Sequence, residues 1–423
     1  MKSGDKKNHT NIAWSHGQMG LSMFFSTAAG VTFIVGFFRH IGFTEFQVAL
    51  YGSAIGFAGF LGMIGSWAAQ RSGQYKKTVM LLYGSSAIFC LGGVLTGVFG
   101  GHGKIVVVIV LVFMALYQLP LYLGSPVILS WLNNVVGQKE WARFFSTRMA
   151  IGDGAVLAAS LMVGVLLGEA PSTNDFLLVF TIACLAGLSA IYFMHRTPAP
   201  VIMDKFPDFK VYAKKIIEAM RKRETQGLLF VAFLKAFAYG LILPFQPLFL
   251  LETLHLKYTQ ISLLIILSTV ASILCYKIWA HFQRRIGNFP TLRWNLGLAI
   301  AEPILWLLAT AKNPGPVFAA YILFGFNGWQ GGVNAGYWTS LTGSFFDLSD
   351  EHQKPINLAM YFLVFGIATI IAPLVSGTIV ENYNFGFAID SYRFLFLIAG
   401  AILIVTTLYA VFGRRFKKQK NQT

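Results

Sequence analysis

Charged side chains are scarce in this sequence. Asp, Glu, Lys and Arg together make up 12% of the 423 residues, whereas apolar residues make up 56%. A water-soluble globular protein carries about 25% charged residues, so this deficit excludes a soluble enzyme, a disordered protein and a nucleic-acid-binding module. The apolar residues form continuous runs that do not alternate with polar ones, which excludes a transmembrane β-barrel. The composition therefore predicts an all-α membrane protein that crosses the bilayer many times.

Cysteine is also rare, and the common catalytic motifs are missing. The three cysteines, Cys90, Cys184 and Cys275, lie singly inside apolar runs, which indicates neither a disulfide framework nor an iron–sulfur or zinc site. None of the eight histidines lies in the middle of an apolar run. The sequence has no His-Glu-x-x-His, Gly-x-Ser-x-Gly or Walker motif. We therefore expect no enzyme activity, no metal site and no cofactor.

The apolar runs that are present recur along the whole chain. A membrane-spanning helix needs about 20 residues, and the runs predict twelve such helices in two pseudo-symmetric bundles of six. The predicted spans are residues 17–38, 46–69, 78–99, 104–130, 144–168, 175–194, 226–251, 258–281, 291–311, 316–342, 357–380 and 392–413.

The basic residues are distributed unequally between the two faces of this predicted topology. Most of the 33 Lys and Arg residues lie in the two tails and in the loops of one face. The other face holds only Arg39, Lys104, Lys257, Lys312 and Arg393. Because Lys and Arg accumulate on the cytoplasmic side of membrane proteins, we expect both termini to be cytoplasmic.

The longest polar stretch divides the chain in the middle. We expect an N-terminal bundle at 1–194, a cytoplasmic linker at 195–225 and a C-terminal bundle at 226–423. Within the linker, apolar residues recur at helical spacing between lysines and arginines. This pattern indicates an amphipathic helix on the inner leaflet, with a solvated linker helix as the alternative.

Two short motifs carry a family resemblance. Residues 66–77 read SWAAQRSGQYKK and follow the second span. The segment resembles the loop motif Gly-x-Leu-Ala-Asp-Arg-x-Gly-Arg-Arg/Lys of major facilitator superfamily transporters. Arg71, Gly73 and the basic end match, whereas Ser66 and Gln70 replace the motif's Gly and Asp.

The second motif follows the fourth span. Residues 130–136 read SWLNNVV and residues 141–148 read WARFFSTR, which is similar to a segment of bacterial members of that superfamily. The resemblance implies two helix bundles that rock about a central site and so give alternating access. It also implies gating roles for Arg71, Gly73, Arg143 and Arg148.

The tenth predicted span has a polar stripe. Asn327, Gln330, Asn334 and Tyr337 recur at the spacing of one helical face. Amide groups are costly against lipid and should face protein or water, and aromatic rings stack on the apolar faces of sugars. The stripe therefore predicts a solute site, with contacts between helices as the alternative.

The fourth and seventh spans present similar faces. Gln118 and Tyr122 share one face of the fourth span, where either substrate contact or packing explains them. Lys235, Tyr239 and Gln246 share a face of the seventh. Lys235 lies ~15 Å inside the span, at 1.5 Å per residue, which is beyond the reach of a snorkelling side chain. We expect these five residues to bind substrate, with Lys235 contacting an anionic group or pairing with a carboxylate.

Two carboxylates inside predicted spans are candidates for proton coupling. Asp153 follows Arg148 by five residues, so it could transfer a proton or form a structural ion pair with Arg148 or Arg143. Glu302 directly precedes Pro303, where it could cap the following half-helix. The sequence favours Asp153 as the titrating acid and a structural role for Glu302.

These features together predict a secondary active transporter in a bacterial inner membrane. We expect proton symport of a small polar solute, a sugar or a sugar acid, by a monomer whose partners are that solute, protons and the lipid bilayer, without nucleic acid. The alternatives are an exporter of amphipathic drugs or lipids and a membrane receptor or scaffold that transports nothing.

Overall fold

The computed structural model describes residues 3–101, 103–136, 138–198, 208–325, 330–348, 354–382 and 390–413. Within these ranges the protein is almost entirely helical, and the one β-bridge joins Thr310 and Asn313 in a loop. Nine helices of the described ranges are long and apolar enough to cross a membrane. The protein is therefore an all-α, multi-pass membrane protein, as the composition predicts, while the count of twelve spans stays a prediction.

The helices follow one another along the chain with short connections. They are α1 Ser3–Ala28, α2 Val31–His40, α3 Glu45–Ser72, α4 Tyr75–Phe99, α5 Lys104–Val136, α6 Gln138–Leu167, α7 Thr173–Arg196, α8 Phe209–Arg221, α9 Arg223–Ile242, α10 Gln246–Leu248, α11 Tyr258–Ile286, α12 Asn288–Ala299, α13 Ala301–Leu308, α14 Gly315–Phe324, α15 Gly332–Asp347, α16 Lys354–Asn382 and α17 Ser391–Phe412. A π-helical turn, Phe249–Thr253, follows α10.

Polar residues mark several helix starts. Ser172 caps α7 in a capping box with Asp175, in which each side chain accepts from the other residue's backbone N–H. Asp208 and Asp390 cap α8 and α17 through their carboxylates. These side chains satisfy backbone donors that the first helical turn leaves without partners.

Several predicted spans are broken into shorter helices, and the ninth and tenth bear on the site. The ninth consists of α12 and α13, with Pro303 in the first turn of α13, where its missing N–H costs no helical hydrogen bond. The tenth consists of α14 and α15. Gly325 and Gly331 between them adopt φ values of +71° and +88°, which glycine tolerates and other residues avoid.

The chain forms two structural units. The first, unit 1, contains α1, α2, α4 to α7, the part of α3 from Leu61 onward, and Lys257–Leu263 at the start of α11. Within it, α1 packs against α6 and α7, and α4 packs against α5 and α7. Trp131 is buried in an apolar cluster and its Nε1 donates to the carbonyl of Pro198 at 2.8 Å.

The second, unit 2, contains Thr44–Phe60, α8 to α10, the rest of α11, and α12 to α17. Here α9 packs against α16 and α17, α12 packs against α15, and α13 packs against α14 and α17. Phe249, Trp306 and Phe396 pack their rings together, with centroids between 5.0 and 5.9 Å apart. This packing fixes α13 beside α17 and so positions Glu302 in the interior.

Helix α8 lies in the segment where the sequence indicates an amphipathic helix. Its buried residues Tyr212, Ile216 and Ala219 form one stripe, and the helix contacts α9 and α16. Val211 and Ile217 are exposed. The main apolar stripe is thus covered by protein, and only part of the apolar surface is exposed; a position on the inner leaflet stays a prediction.

Candidate functional site

A group of buried polar residues lies inside unit 2, on α9, α13 and α15. We call Lys235, Tyr239, Glu302, Asn334 and Tyr337 the polar cluster. Exposed fractions are 3% for Lys235, 2% for Glu302 and 0% for Asn334. Buried charges are expensive unless they are paired and hydrogen-bonded, so this burial indicates a site built around specific partners.

Asn334 is the centre of the polar cluster. Its Oδ1 accepts from Lys235 Nζ at 3.1 Å, and its Nδ2 donates to the Tyr239 hydroxyl at 3.1 Å. The same Nδ2 donates to the carbonyl of Phe324, which ends α14. The Tyr239 hydroxyl in turn donates to Glu302 Oε2. A continuous hydrogen-bonded path therefore joins the ammonium of Lys235 to the carboxylate of Glu302.

Two aromatic rings surround the ammonium of Lys235. Its Nζ lies 3.6 Å from the ring centroid of Tyr337 and 4.9 Å from that of Tyr239. Ring faces attract cations, most strongly where water is excluded. The amino group thus points into protein, which rules out the alternative in which Lys235 snorkels to the membrane surface.

Helical spacing brings four members of the cluster into place. Lys235 and Tyr239 are four residues apart on α9, and Asn334 and Tyr337 are three apart on α15, so each pair shares a helical face. The carbonyl of Phe324 is available because α14 ends there and Gly325 turns the chain. The break in the tenth span thereby supplies an acceptor to the cluster.

Glu302 has a different hydrogen-bond partner from the one that the sequence favours. The start of α13 has no side-chain cap, and the Glu302 carboxylate accepts instead from Tyr239 of α9. Glu302 lies in the first turn of α13, where the sequence predicts it, but it makes no capping hydrogen bond there. The proline break explains why a carboxylate occurs here, but its partner comes from another helix.

The predicted stripe of the tenth span is only partly present. Asn334 and Tyr337 share a face of α15, but Gln330 lies before the helix begins, in the bend that precedes Gly331. The positive φ of Gly331 interrupts the helix, so the stripe does not extend back to Gln330, which is half-buried. Asn327 lies outside the described residues.

Gln246 also lies off the helical face that the sequence predicts. Helix α9 ends at Ile242, Pro244 cannot donate a backbone hydrogen bond, and Gln246 begins the short helix α10. Its side chain is buried, and its Oε1 has no hydrogen-bond partner among the described residues. It therefore has an unused acceptor inside unit 2.

Unit 1 contains a second buried charge, on α6. Arg148 is 3% exposed and donates to the carbonyl of Ser15 and to Oε1 of Gln18, both on α1. Gln18 Nε2 donates to Ser22 Oγ at 2.7 Å. We call Arg148, Ser15, Gln18 and Ser22 the arginine network. Gln18 was not predicted from the sequence, although an amide four residues from a serine in an apolar helix could have indicated it.

Asp153 is the remaining candidate on α6 whose side chain the structure describes. Asp153 is half-buried and makes no hydrogen bond or ion pair with the described residues, so an ion pair with Arg148 as a structural lock is not formed. Arg143 lies in α6, but its side chain is outside the described part of the structure. Arg148 therefore fixes α6 to α1 through neutral acceptors.

The other predicted residues of unit 1 occupy α5 and the end of α3. Gln118 is buried and Tyr122 is half-buried on α5. Their convergence with the polar cluster of unit 2 stays a prediction. Arg71 is exposed, with its guanidinium carbon 5.4 Å from the ring centroid of Trp67. Gly73 adopts a φ of +67° in the turn between α3 and α4, which explains the glycine there.

Several solved structures resemble this fold over nearly its whole length. A variant of the nucleoside transporter NupG has a TM-score of 0.73 and 13% identity, and the match covers 95% of this chain and 99% of that one. A D-xylose–proton symporter has a TM-score of 0.71 and 13% identity, and the match covers 94% of this chain and 96% of the symporter. A peptide transporter of the POT family has a TM-score of 0.69 and 11% identity, and the match covers 96% of this chain and 97% of that transporter. These likenesses show a transporter fold.

The sequence itself matches a family model over most of its length. Among proteins of curated function, none matches the chain. The model of the Major Facilitator Superfamily, however, matches residues 17–333, which is well over half of the sequence. The chain therefore belongs to the Major Facilitator Superfamily.

Proposed function

We propose that this chain is a proton-coupled secondary transporter of a small polar solute, and that the polar cluster of unit 2 links proton binding to transport. The observation that supports the proposal most directly is the buried path from Lys235 through Asn334 and Tyr239 to Glu302. Ionisable residues at membrane depth commonly mark substrate or proton pathways.

One proton is enough to rearrange this path. When Glu302 is ionised, it accepts the Tyr239 hydroxyl hydrogen; when Glu302 is protonated, it has a hydrogen of its own to donate. In this proposal the Tyr239 hydroxyl then accepts from Glu302 and donates to Asn334 Oδ1, 3.3 Å away, which is also the acceptor for Lys235. Because Tyr239 is only half-buried, its side chain offers a place where an arriving solute or proton reaches the network.

Glu302 is a better candidate for the coupling acid than Asp153, which the sequence favours. Glu302 is fully buried and shares a network with a basic group, whereas Asp153 is half-buried and has no partner among the described residues. A coupling acid must transmit its protonation state to other groups. Glu302 has the contacts for that role, so we assign it the proton.

A sugar, a sugar acid or a nucleoside is the proposed solute. Carboxamides offer both donors and acceptors to hydroxyl groups; Asn334 is a member of the polar cluster, and Gln246 and Gln330 lie in the same unit. Tyrosine rings can stack on a sugar. The structural similarity to a nucleoside transporter and a D-xylose–proton symporter extends the choice to nucleosides.

Transport by reconstituted protein tests the coupling. A thermal-shift screen of pentoses, hexoses, sugar acids and nucleosides selects a stabilising solute, and proteoliposomes then receive its radiolabelled form. We expect an inward proton gradient to drive uphill accumulation by the unaltered protein. Glu302→Gln should abolish accumulation but retain solute exchange, because the amide keeps the shape and cannot release a proton.

Asp153→Asn is the matched control for that experiment. It should retain uphill accumulation. If Glu302→Gln still concentrates the solute and Asp153→Asn does not, the coupling acid is Asp153. If no proton gradient drives uptake by any form, the protein is not a proton symporter.

The orientation belongs to the same proposal. The excess of Lys and Arg in the tails and alternate loops supports cytoplasmic termini in a bacterial inner membrane. Single cysteines at Lys210 and Lys257, in a background without the three native cysteines, test it by labelling from each side. We expect position 210 to label from the cytoplasm alone and position 257 from the periplasm alone; the reverse result would invert the topology.

A further inference from the structure

A groove of about 880 Å³ runs along the outside of unit 1 between α4 and α7. Its lining changes character from one end to the other. Lys76 and Lys77 lie at one end, and Leu81, Ile88 and Ile191 lie further along. Neither Asp nor Glu occurs among the lining residues that the structure describes. The groove therefore joins a basic mouth to an apolar channel.

The apolar part of the groove faces outward from a membrane-spanning helix. Helix α4 is one of the helices long and apolar enough to cross the bilayer. On it, Leu81 is 64% exposed and Ile88 is 62% exposed. From Lys77 to Ile88 the helix rises about 16 Å at 1.5 Å per residue, which is about half of the ~30 Å hydrocarbon core. The channel thus has the length of one acyl chain in one leaflet.

The two helices are fixed to each other at the basic mouth. Lys76 Nζ donates to the carbonyls of His195 at 2.6 Å and Thr197 at 2.9 Å, at the end of α7. Deeper in the groove, a Cβ added to Gly84 would lie 3.0 Å from Ile191 Cδ1, so this glycine allows α4 and α7 to approach. Lys77 itself is exposed at the mouth.

We propose that this groove binds an anionic phospholipid, with the phosphate at Lys77 and one acyl chain along Leu81 and Ile88. Basic side chains beside a membrane-spanning helix attract anionic headgroups. The exposed side chains of Leu81 and Ile88 offer apolar contacts to an acyl chain. The two lysines among the described lining residues favour an anionic over a zwitterionic lipid. A soluble solute would leave the apolar channel unused.

Native mass spectrometry of the delipidated full chain tests the headgroup. The probes are dioleoyl phosphatidylglycerol and dioleoyl phosphatidylcholine, which share their acyl chains. We expect preferential retention of phosphatidylglycerol. Lys77→Gln should reduce that retention about five-fold, whereas Lys312→Gln, which changes an exposed lysine of the loop between α13 and α14, should leave it unchanged. Equal retention of both lipids, or no effect of Lys77→Gln, would overturn the proposal.

A second pair of measurements tests the acyl chain. Ser85 lines the groove between Leu81 and Ile88, so Ser85→Trp should fill the channel and reduce phosphatidylglycerol binding. Because that variant could disturb packing, the unaltered protein is also titrated with glycerol phosphate. We expect glycerol phosphate to leave the bound lipid in place. If it displaces dioleoyl phosphatidylglycerol at equal concentration, the groove is only an anion site and the proposal is wrong.

Discussion

The two buried polar sites differ in what a proton can do to them. The polar cluster of unit 2 contains one basic and one acidic side chain joined through Asn334 and Tyr239. The arginine network of unit 1 contains one base, Arg148, and neutral acceptors. Arginine keeps its proton in proteins, whereas carboxyl and amino groups at buried positions can exchange theirs.

The polar cluster contains groups that can change their protonation, whereas the arginine network connects two helices through groups that do not. In the proposed function, protonation of Glu302 adds a hydrogen-bond donor to a network that joins α9, α13 and α15. The arginine network has no member that titrates readily, so it holds α6 to α1 in a single arrangement. Burial alone therefore does not identify a coupling residue; the chemistry of the partners does.

The largest loss of stability should come from removing Glu302, the acid of the polar cluster. Glu302→Ala leaves the ammonium of Lys235 buried without its carboxylate, and we expect a loss of about 3–5 kcal/mol in the free energy of unfolding. Thermal unfolding in detergent measures it. The double variant Lys235→Met/Glu302→Gln, which removes both charges, should recover most of the loss. Equal instability of the single and double variants would show that the two charges do not stabilise each other.

Replacing Arg148, the base of the arginine network, should lower the free energy of unfolding by less. Arg148→Met leaves the Ser15 carbonyl and Gln18 Oε1 without a donor, which predicts a loss of about 1–3 kcal/mol in stability, and no opposite charge is stranded. The pH dependence of solute uptake should keep its shape, since an arginine keeps its proton near neutral pH. An uptake profile shifted along the pH axis would place Arg148 in the coupling path and remove the contrast between the two sites.

Much of the polar cluster could be predicted from the sequence, and the reason is local geometry. Lys235 with Tyr239, and Asn334 with Tyr337, are related by helical periodicity, which the sequence encodes directly. Glu302 could not be assigned in the same way, because its partner Tyr239 lies on another helix and only tertiary packing brings them together. The stripe fails at Gln330 because a glycine backbone conformation, not residue polarity, decides where α15 begins.

The fold could be predicted from the sequence more completely than the two polar sites. Continuous apolar runs predict helices across a membrane because the bilayer requires internally satisfied backbones, and the resemblance at residues 66–77 names the superfamily that the family model matches. The arginine network was missed in part because Gln18 and Arg148 are far apart in sequence. Contacts between helices are decided by packing, which no spacing within one helix reveals.

A smaller effect should follow from deleting the hydroxyl that links the polar cluster. Tyr239→Phe removes the donor to Glu302 and the acceptor for Asn334, and we expect about 0.5–1.5 kcal/mol of lost stability. The ring stays beside Lys235, so packing is preserved. Uptake at saturating solute should become less responsive to the proton gradient. Tyr321→Phe, a change on α14 of the same unit, serves as the comparison; equal effects would mean that any tyrosine hydroxyl in unit 2 matters alike.

The smallest change in stability should follow from replacing Asp153, a carboxylate that belongs to neither the polar cluster nor the arginine network. Asp153→Asn replaces a half-buried group that contacts no described partner, so stability should change by less than about 0.5 kcal/mol. Gradient-driven accumulation in proteoliposomes should persist, in contrast to its loss in Glu302→Gln. The contrast depends on partners: an acid coupled to a base through Tyr239 and Asn334 can report its protonation to three helices, and an acid without partners cannot. Loss of accumulation in Asp153→Asn with normal exchange would show that α6 contains the titrating group, and the role assigned to the polar cluster would then be structural.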